Sequence, residues 1–226
     1  MENEENIEVK AKKQPKNKKE KVKKSWQREL MEWILAFVTA FVGALVIKYF
    51  IFTPTLVQQG SMTPTILSGE RVIVNRLWRT FHMDLERGQI ITFEAPTDVD
   101  YENNVGLYNK STSWKKFFYH EVLEADKISF IKRVIGLPGD TVEITKSGKV
   151  YVNDELLDEE YLVKGLKTPQ REFNDIVVPE GYVFVMGDNR DGSTDSRAFG
   201  CIPISEIEGT VKYRMWPLNK IGKIDK

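Results

Sequence analysis

The 226-residue chain has one cysteine, Cys201, so no disulfide can form within it. It has only two histidines, His82 and His120, with no His-Glu-x-x-His pattern and no second ligand at metal spacing, which leaves a zinc hydrolase unsupported. Net charge is missing too: 33 Lys plus Arg stand against 33 Asp plus Glu, which argues against a nucleic-acid binder on bulk charge. No internal repeat occurs at solenoid periods. The acidic stretch 187–195 lacks the carboxylates of a calcium loop, because placing Gly192 sixth puts Gly187 first and Ala198 twelfth. What is present, 41% hydrophobic and 11% aromatic residues, is enough for a core and excludes global disorder.

The neutral total is a sum of unlike parts. Residues 1–29 hold 10 Lys/Arg against 6 Asp/Glu, most of the basic ones in Lys10–Lys24, and read as a disordered basic tail. Leu30–Phe52 follows, interrupted only by Glu32 and Lys48, and as a helix it covers roughly 34 Å, enough for the hydrocarbon of a bilayer. Its charge-free part, Trp33–Ile47, is only 15 residues, a length that also fits a buried core helix or a signal-peptide core. Lys48 can snorkel and no small-x-small cleavage site follows, so a span is favoured. The basic tail then stays in the cytoplasm and the rest lies outside. That outer part is mildly acidic, 22 Lys/Arg against 26 Asp/Glu.

Beyond the span the periodicity is mostly two. Arg71–Asn75, Gln89–Phe93, Ile128–Ile135, Thr141–Ile144, Lys149–Asn153, Tyr182–Met186 and Gly209–Trp216 read as strands separated by Gly, Pro, Asn and Asp turns. The expected fold is mainly β: an antiparallel sheet domain with a small cap or second lobe, preceded by one transmembrane helix. Thr97–Lys127 is long for a connection and reads as an insertion. Within it Ser113 can cap a short helix with Trp114, Phe117, Phe118 and Val122 near one face, suited equally to a membrane interface and to the domain's own core.

For chemistry, Cys201 sits in Phe-Gly-Cys-Ile-Pro and reads as a small packing residue rather than a thiol nucleophile. Ser61 follows Gly60, which lets the chain turn so that the Ser N–H and hydroxyl face one point, although a surface loop explains a Gly-Ser pair as well. In the strand Ile128–Ile135, alternation puts Lys132 on the face of Ile128, Phe130 and Val134, with Arg133 pointing the other way. A lysine there is either one that snorkels along a half-exposed strand or one whose pKa falls on burial until the neutral amine can deprotonate a serine.

These residues carry a resemblance. Ser61-Met62-x-Pro64-Thr65 with Gly69-Glu70, then Lys132-Arg133-x-x-Gly136-Leu137-Pro138-Gly139-Asp140, then Gly187-Asp188-Asn189-Arg190-Asp191-x-Ser193-x-Asp195-Ser196-Arg197-x-x-Gly200 resemble, in order, the boxes of type I bacterial signal peptidases, in single-span Gram-positive form. The resemblance implies a membrane-bound serine endopeptidase that removes signal peptides after small residues, at Ala-x-Ala sites, with Ser61 as nucleophile and Lys132 as general base. It also implies that Ser193 positions the Lys132 amine and that Asp195 and Arg197 form a supporting ion pair. Met62 and Ile131 match positions of the substrate pockets. In many members a Ser or Gly stands where this chain has Gln59, so the oxyanion hole uses the Ser61 N–H with Gln59 as a candidate second donor. Asp188, Asn189 and Asp191 read simply as turn formers.

The division that follows is a cytoplasmic tail 1–29, a transmembrane helix 30–52, a catalytic β domain 53–143 with 182–220, and a cap 144–181. Neither cofactor nor metal is expected. The partners are preprotein signal peptides and the lipid bilayer, with the secretion translocon a further candidate and no nucleic acid. The place is the bacterial cell membrane, with the catalytic domain outside. Rival readings are a non-catalytic membrane-tethered β module, a self-cleaving Ser-Lys repressor, which needs a DNA-binding module the chain does not offer, and a sortase-like thiol enzyme built on Cys201.

Overall fold

A computed structural model describes residues 26–81, 83–108 and 128–224. The expected tail up to residue 25, His82, His120 and the helix expected at Ser113 lie outside the described residues. By its contacts the chain divides into a unit ending at Phe41 and one running from Val42.

The apolar run forms one helix, α1 (Trp26–Phe50), with no buried residue and with the length and composition to cross a membrane. It begins four residues before the expected Leu30 and ends two before the expected Phe52. Trp26, Gln27, Arg28 and Glu29 contain no helix breaker, so the helix extends through them. Pro54 drives the preceding Thr53 into extended backbone, and Phe52 already belongs to a strand.

That strand is β1 (Phe52–Leu56), followed by β2 (Arg71–Asn75), the short helix α2 (Leu77–Phe81) and β3 (Ile90–Glu94). A small hairpin, β4 (Asp98–Asp100) and β5 (Val105–Leu107), precedes β6 (Ser129–Gly136). Then come β7 (Thr141–Ile144), β8 (Val150–Val152), β9 (Glu155–Leu156), β10 (Asp175–Val177), β11 (Tyr182–Met186), β12 (Ile202–Pro203), β13 (Ile207–Trp216) and β14 (Gly222–Lys223).

The main sheet runs β1-β2-β13-β3-β6-β11-β12, with β14 added to β13. Its named pairings are antiparallel, as the alternating sequence pattern requires. Pro54 is tolerated because β1 is an edge strand, where a missing N–H breaks no ladder on its open side. The second sheet, β10-β7-β8-β9, is built around the hairpin at Ser147-Gly148 and falls largely in the segment 144–181 read as a cap. Its first strand begins at Thr141, three residues before the expected boundary, because Thr141–Ile144 pairs with Val150–Val152 and not with the main sheet.

Sequence periodicity misses β1, β4, β5, β9, β10, β12 and β14. Most are only two or three residues long, too short to show a period, and β1 is masked by the apolar run that precedes it. The hairpin β4–β5 occupies the start of the expected insertion, and Gly106 N–H donates to Cys201 O at 2.9 Å, tying it to the main body. The core lies in three clusters, one between the two sheets (Ile135, Val142, Phe184, Cys201), one against Phe93 and Val134, and one under the Ser61 loop (Met62, Ile66, Val74).

Strand β6 shows why one-face reasoning was incomplete. Alternation does send Lys132 and Arg133 to opposite faces, but both are buried, at 1% and 0% exposure, because the second half of this strand is covered on both sides. β11 pairs only with Arg133–Gly136, so the edge of Ser129–Lys132 away from β3 carries no strand among the described residues.

Candidate active site

Ser61 stands at the start of a turn after Gly60, eleven residues beyond the end of α1, in a loop closed by Thr63 N–H to Gly60 O and Ile66 N–H to Met62 O. Met62 and Ile66 anchor the loop by burial in the core. The middle of β6 supplies the other half of the site. Lys132 Nζ lies 2.9 Å from Ser61 Oγ and 3.0 Å from Ile131 O, with the Phe130 ring centroid at 4.9 Å.

Of the two sequence readings of Lys132, the snorkelling one fails, since the side chain is enclosed. Burial disfavours the ammonium and brings the Lys132 pKa down to about 8, against the opposing pull of Asp195 and Asp188. Near neutrality roughly a tenth of the amine is therefore unprotonated and able to accept the hydroxyl proton.

The segment after β11 frames this pair. Asp195 caps the short helix Ser196–Phe199 by accepting from Arg197 N–H, and its carboxylate also takes Gly187 N–H at 3.0 Å and Arg197 Nε and Nη2 at 2.8 Å each. Burial alone raises the Asp195 carboxyl, but the Arg197 hydrogen bonds and charge and the Gly187 N–H outweigh it and hold it below the usual carboxylate range. Arg197 Nη2 also reaches Arg190 O at 2.7 Å, so the expected ion pair is fully buried and hydrogen-bonded. Ser193 is buried against Gly187, and its hydroxyl adds to the hydrogen bonding that holds the Asp195 carboxyl down, but no hydrogen bond joins its Oγ to Lys132.

Asp188 is not the simple turn former that the sequence suggested. It is fully buried, accepts Arg133 Nε at 2.9 Å and Nη2 at 2.7 Å, and takes the Thr65 hydroxyl at 2.5 Å. Asn189 N–H donates to Ser61 O at 3.0 Å and its side-chain amide to Gly60 O at 3.2 Å. Asp191 is exposed, as a turn residue should be. Sequence reasoning missed the Arg133–Asp188 pair because a buried ion pair between segments 55 residues apart leaves no local pattern. The one available signal was Arg133 itself, which alternation places on the face opposite Lys132.

A cleft of about 290 Å³ opens at Ser61, lined among others by Thr55, Val57, Gln59, Thr92, Phe130 and Ile131. Gln59 and Ile131 are thus at the cleft, while Met62 is fully enclosed and is not among the residues that line it. Its bulk is needed in the core under the loop, where the same cluster packs against Ile131. A larger cavity, about 800 Å³ between Trp78, Leu85 and Ile204, contains neither Ser61 nor Lys132, so size alone does not mark the site.

Among the described residues no group of three or more His, Cys, Asp or Glu is placed to hold a metal ion. Cys201 is buried and burial pushes its thiol up to about 12, the opposite of a thiolate nucleophile. Alkylation of the folded protein with a thiol reagent is expected to leave Cys201 unmodified and peptidase activity unchanged. Fast labelling with parallel loss of activity would revive the thiol-enzyme reading.

Residues 30–216 match the family model described as signal peptidase, peptidase S26. The chain is 35% identical to signal peptidase IB of Staphylococcus aureus strain Mu50, with 86% of this chain and 93% of that protein covered. It is 34% identical to signal peptidase I S of Bacillus subtilis strain 168, with 88% and 96% covered. A solved signal peptidase I from Enterococcus faecalis V583 is 29% identical and covers 57% of this chain and 97% of its own, with a TM-score of 0.37. The chain accordingly belongs to the signal peptidase family, peptidase S26.

Proposed function

We propose that the protein is a membrane-anchored signal peptidase working by a Ser61–Lys132 dyad, and that it cuts exported preproteins after small residues at Ala-x-Ala sites. The observation that carries the reading is the 2.9 Å contact between a buried lysine amine and a serine hydroxyl at the edge of a cleft. Family membership supports the signal-peptide substrate, and the dyad supplies the chemistry. Neutral Lys132 Nζ takes the Ser61 proton as Oγ attacks the carbonyl carbon, and the resulting ammonium gives that proton to the departing amine. Water then enters and loses a proton to the same Nζ as its oxygen attacks the ester carbonyl, and the ammonium returns that proton to Oγ as the acyl–Oγ bond breaks, which frees the carboxyl product and restores Ser61 and neutral Lys132. Ser61 N–H stabilises the oxyanion, with the Gln59 side chain at the cleft as second donor.

Substrate binding draws on two open strand edges, β1 and the Ser129–Lys132 half of β6, both of which border the cleft. A cleavage segment laid between them in extended form gains main-chain hydrogen bonds, and alternate side chains enter the cleft, where limited space excludes bulk. The helix α1 is the anchor, with the basic tail in the cytoplasm and the catalytic part outside. Tethering keeps Ser61 close to the bilayer surface where signal peptides emerge and raises the effective substrate concentration. Ser193, Asp195 and Arg197 are supporting residues that hold the lysine's surroundings.

The test is incubation with a preprotein carrying an Ala-x-Ala site, its cleavage product sequenced, beside Ser61→Ala. The expected product is cut after the second Ala, and replacing that Ala by Phe blocks the cut. Because Lys132 must be neutral, kcat/KM is expected to rise with pH through a midpoint near the lysine's value of about 8. A profile that peaks in acid and falls above neutrality contradicts a lysine base.

A further inference from the structure

We propose that Tyr161, in the loop after β9 of the small sheet, is a positioning residue for the reaction: its ring clamps the Arg133 guanidinium onto Asp188 and so fixes the surroundings of Lys132 and the Ser61 loop. The proposal rests on the dyad reading and adds to it a residue that lies outside all three sequence boxes.

The geometry is a chain of contacts running from the small sheet to the dyad. The Arg133 guanidinium carbon lies 3.8 Å from the Tyr161 ring centroid, face on, at cation–π distance. The guanidinium edge is used up elsewhere: Nε and Nη2 on Asp188, and Nη1 on Gly88 O at 2.8 Å. Asp188 in turn holds Thr65, four residues after Ser61, and the next residue, Asn189, donates to Ser61 O. Arg133 also follows Lys132 directly on β6, so any tilt of Arg133 is felt by the strand that carries the base.

Tyr161 is itself held. Its hydroxyl donates to Glu159 Oε1 at 3.0 Å, and Glu159 is paired with Arg190, whose Nε donates to Gly187 O at 3.0 Å and Nη1 to the Thr168 hydroxyl at 2.7 Å. Desolvation and the neighbouring Glu159 raise the Tyr161 hydroxyl far above its usual range, so it stays a neutral donor. The ring and the hydroxyl thus do separate things: the ring faces Arg133, and the hydroxyl ties the loop to Arg190.

The consequence for catalysis is electrostatic. The groups facing Lys132 are the Phe130 ring and Ile131 O from β6, the Ser61 hydroxyl, and Asp188 and Asp195 from the segment after β11. Asp195 is neutralised by Arg197, and Asp188 by Arg133. Both carboxylates pull the lysine toward its charged form. A loosened Arg133 leaves Asp188 less compensated, favours the ammonium, and shifts the active fraction of Lys132 to higher pH.

The experiment uses the full-length protein in detergent, a peptide substrate with an Ala-x-Ala site, and kcat and KM measured across pH with thermal unfolding alongside. Tyr161→Leu and Tyr161→Met remove the aromatic face at similar bulk. They are expected to lower kcat near neutral pH about tenfold with KM within about twofold, and to move the alkaline midpoint upward. Tyr161→Phe keeps the face and is expected to stay within about twofold of the parent at an unmoved midpoint. The proposal is overturned if both Leu and Met variants keep the parent's kcat and midpoint, if kcat falls equally at every pH in step with the folded fraction, or if Phe loses as much as Leu. Ser61→Ala and Lys132→Ala in the same assay separate the two questions. Activity in either sinks the dyad, whereas inactivity in both with parent-like Leu and Met variants sinks only the role of Tyr161.

Discussion

Lys132→Met is expected to lower preprotein cleavage by about 10⁴-fold or more while leaving a folded protein, and Ser61→Ala to do the same. Met is the sharper probe at 132, because it keeps the length of the buried stem and removes only the amine. Burying an ammonium costs free energy, so its loss need not destabilise the fold even though the side chain is fully enclosed. Lys132→Arg is expected to be equally inactive, because a guanidinium does not give up its proton in this range and cannot act as base. The two residues act as one unit, so Ser61→Ala combined with Lys132→Met is expected to be no worse than either alone. The measurement is single-turnover cleavage at pH 9, where the parent amine is mostly neutral, with near-ultraviolet circular dichroism to confirm native packing. Cleavage by either single variant within about tenfold of the parent overturns the dyad.

The pairing of Ser61 with Lys132 could be read from the sequence because the resemblance joins two signals that are each weak alone. Gly60 marks a turn before Ser61, Lys132 interrupts an apolar alternation, and the boxes follow one another in a fixed order. The main sheet was legible because strands such as Arg71–Asn75 and Tyr182–Met186 are long enough to show their period. What escaped has physical causes. Alternation shows that Arg133 leaves the Lys132 face, but not that the other face is covered as well, so the buried pair with Asp188 could not be read. Tyr161 and Glu159 lie in a polar segment without periodicity, and their roles exist only once Arg133 and Arg190 reach them through space. Met62 adjoins Ser61, and nothing in the sequence tells that the turn sends its side chain into the core. Adjacency in sequence fixes where a backbone is and leaves open where a side chain goes.

That distinction gives Gly187 a sharper role than its place in a turn suggests. It needs no special backbone freedom; the constraint is space. A Cβ added at Gly187 would lie 2.4 Å from Ser61 O and 2.3 Å from Ser193 Oγ, well inside contact distance. Gly187 cannot back away, since its N–H is held by Asp195 and its carbonyl oxygen by Arg190, both buried side chains. The partners that must yield are therefore the Ser193 side chain and the Ser61 backbone, whose carbonyl is also held by Asn189 N–H. A displacement there of about 1 Å is enough to lower turnover about 10²-fold through misalignment of Oγ with Nζ and with the scissile carbonyl. Gly187→Ala is thus expected to fold with a stability loss of about 1–3 kcal/mol from overpacking, and to show a kcat lower by about 10²-fold with a much smaller change in KM. Gly43→Ala is the control: it lies in α1, nothing stands within 4 Å of its added Cβ, and no change in turnover is expected. Parent-like turnover in Gly187→Ala would show that the Ser61 loop moves without loss, and that the segment 187–195 does not set the position of the nucleophile.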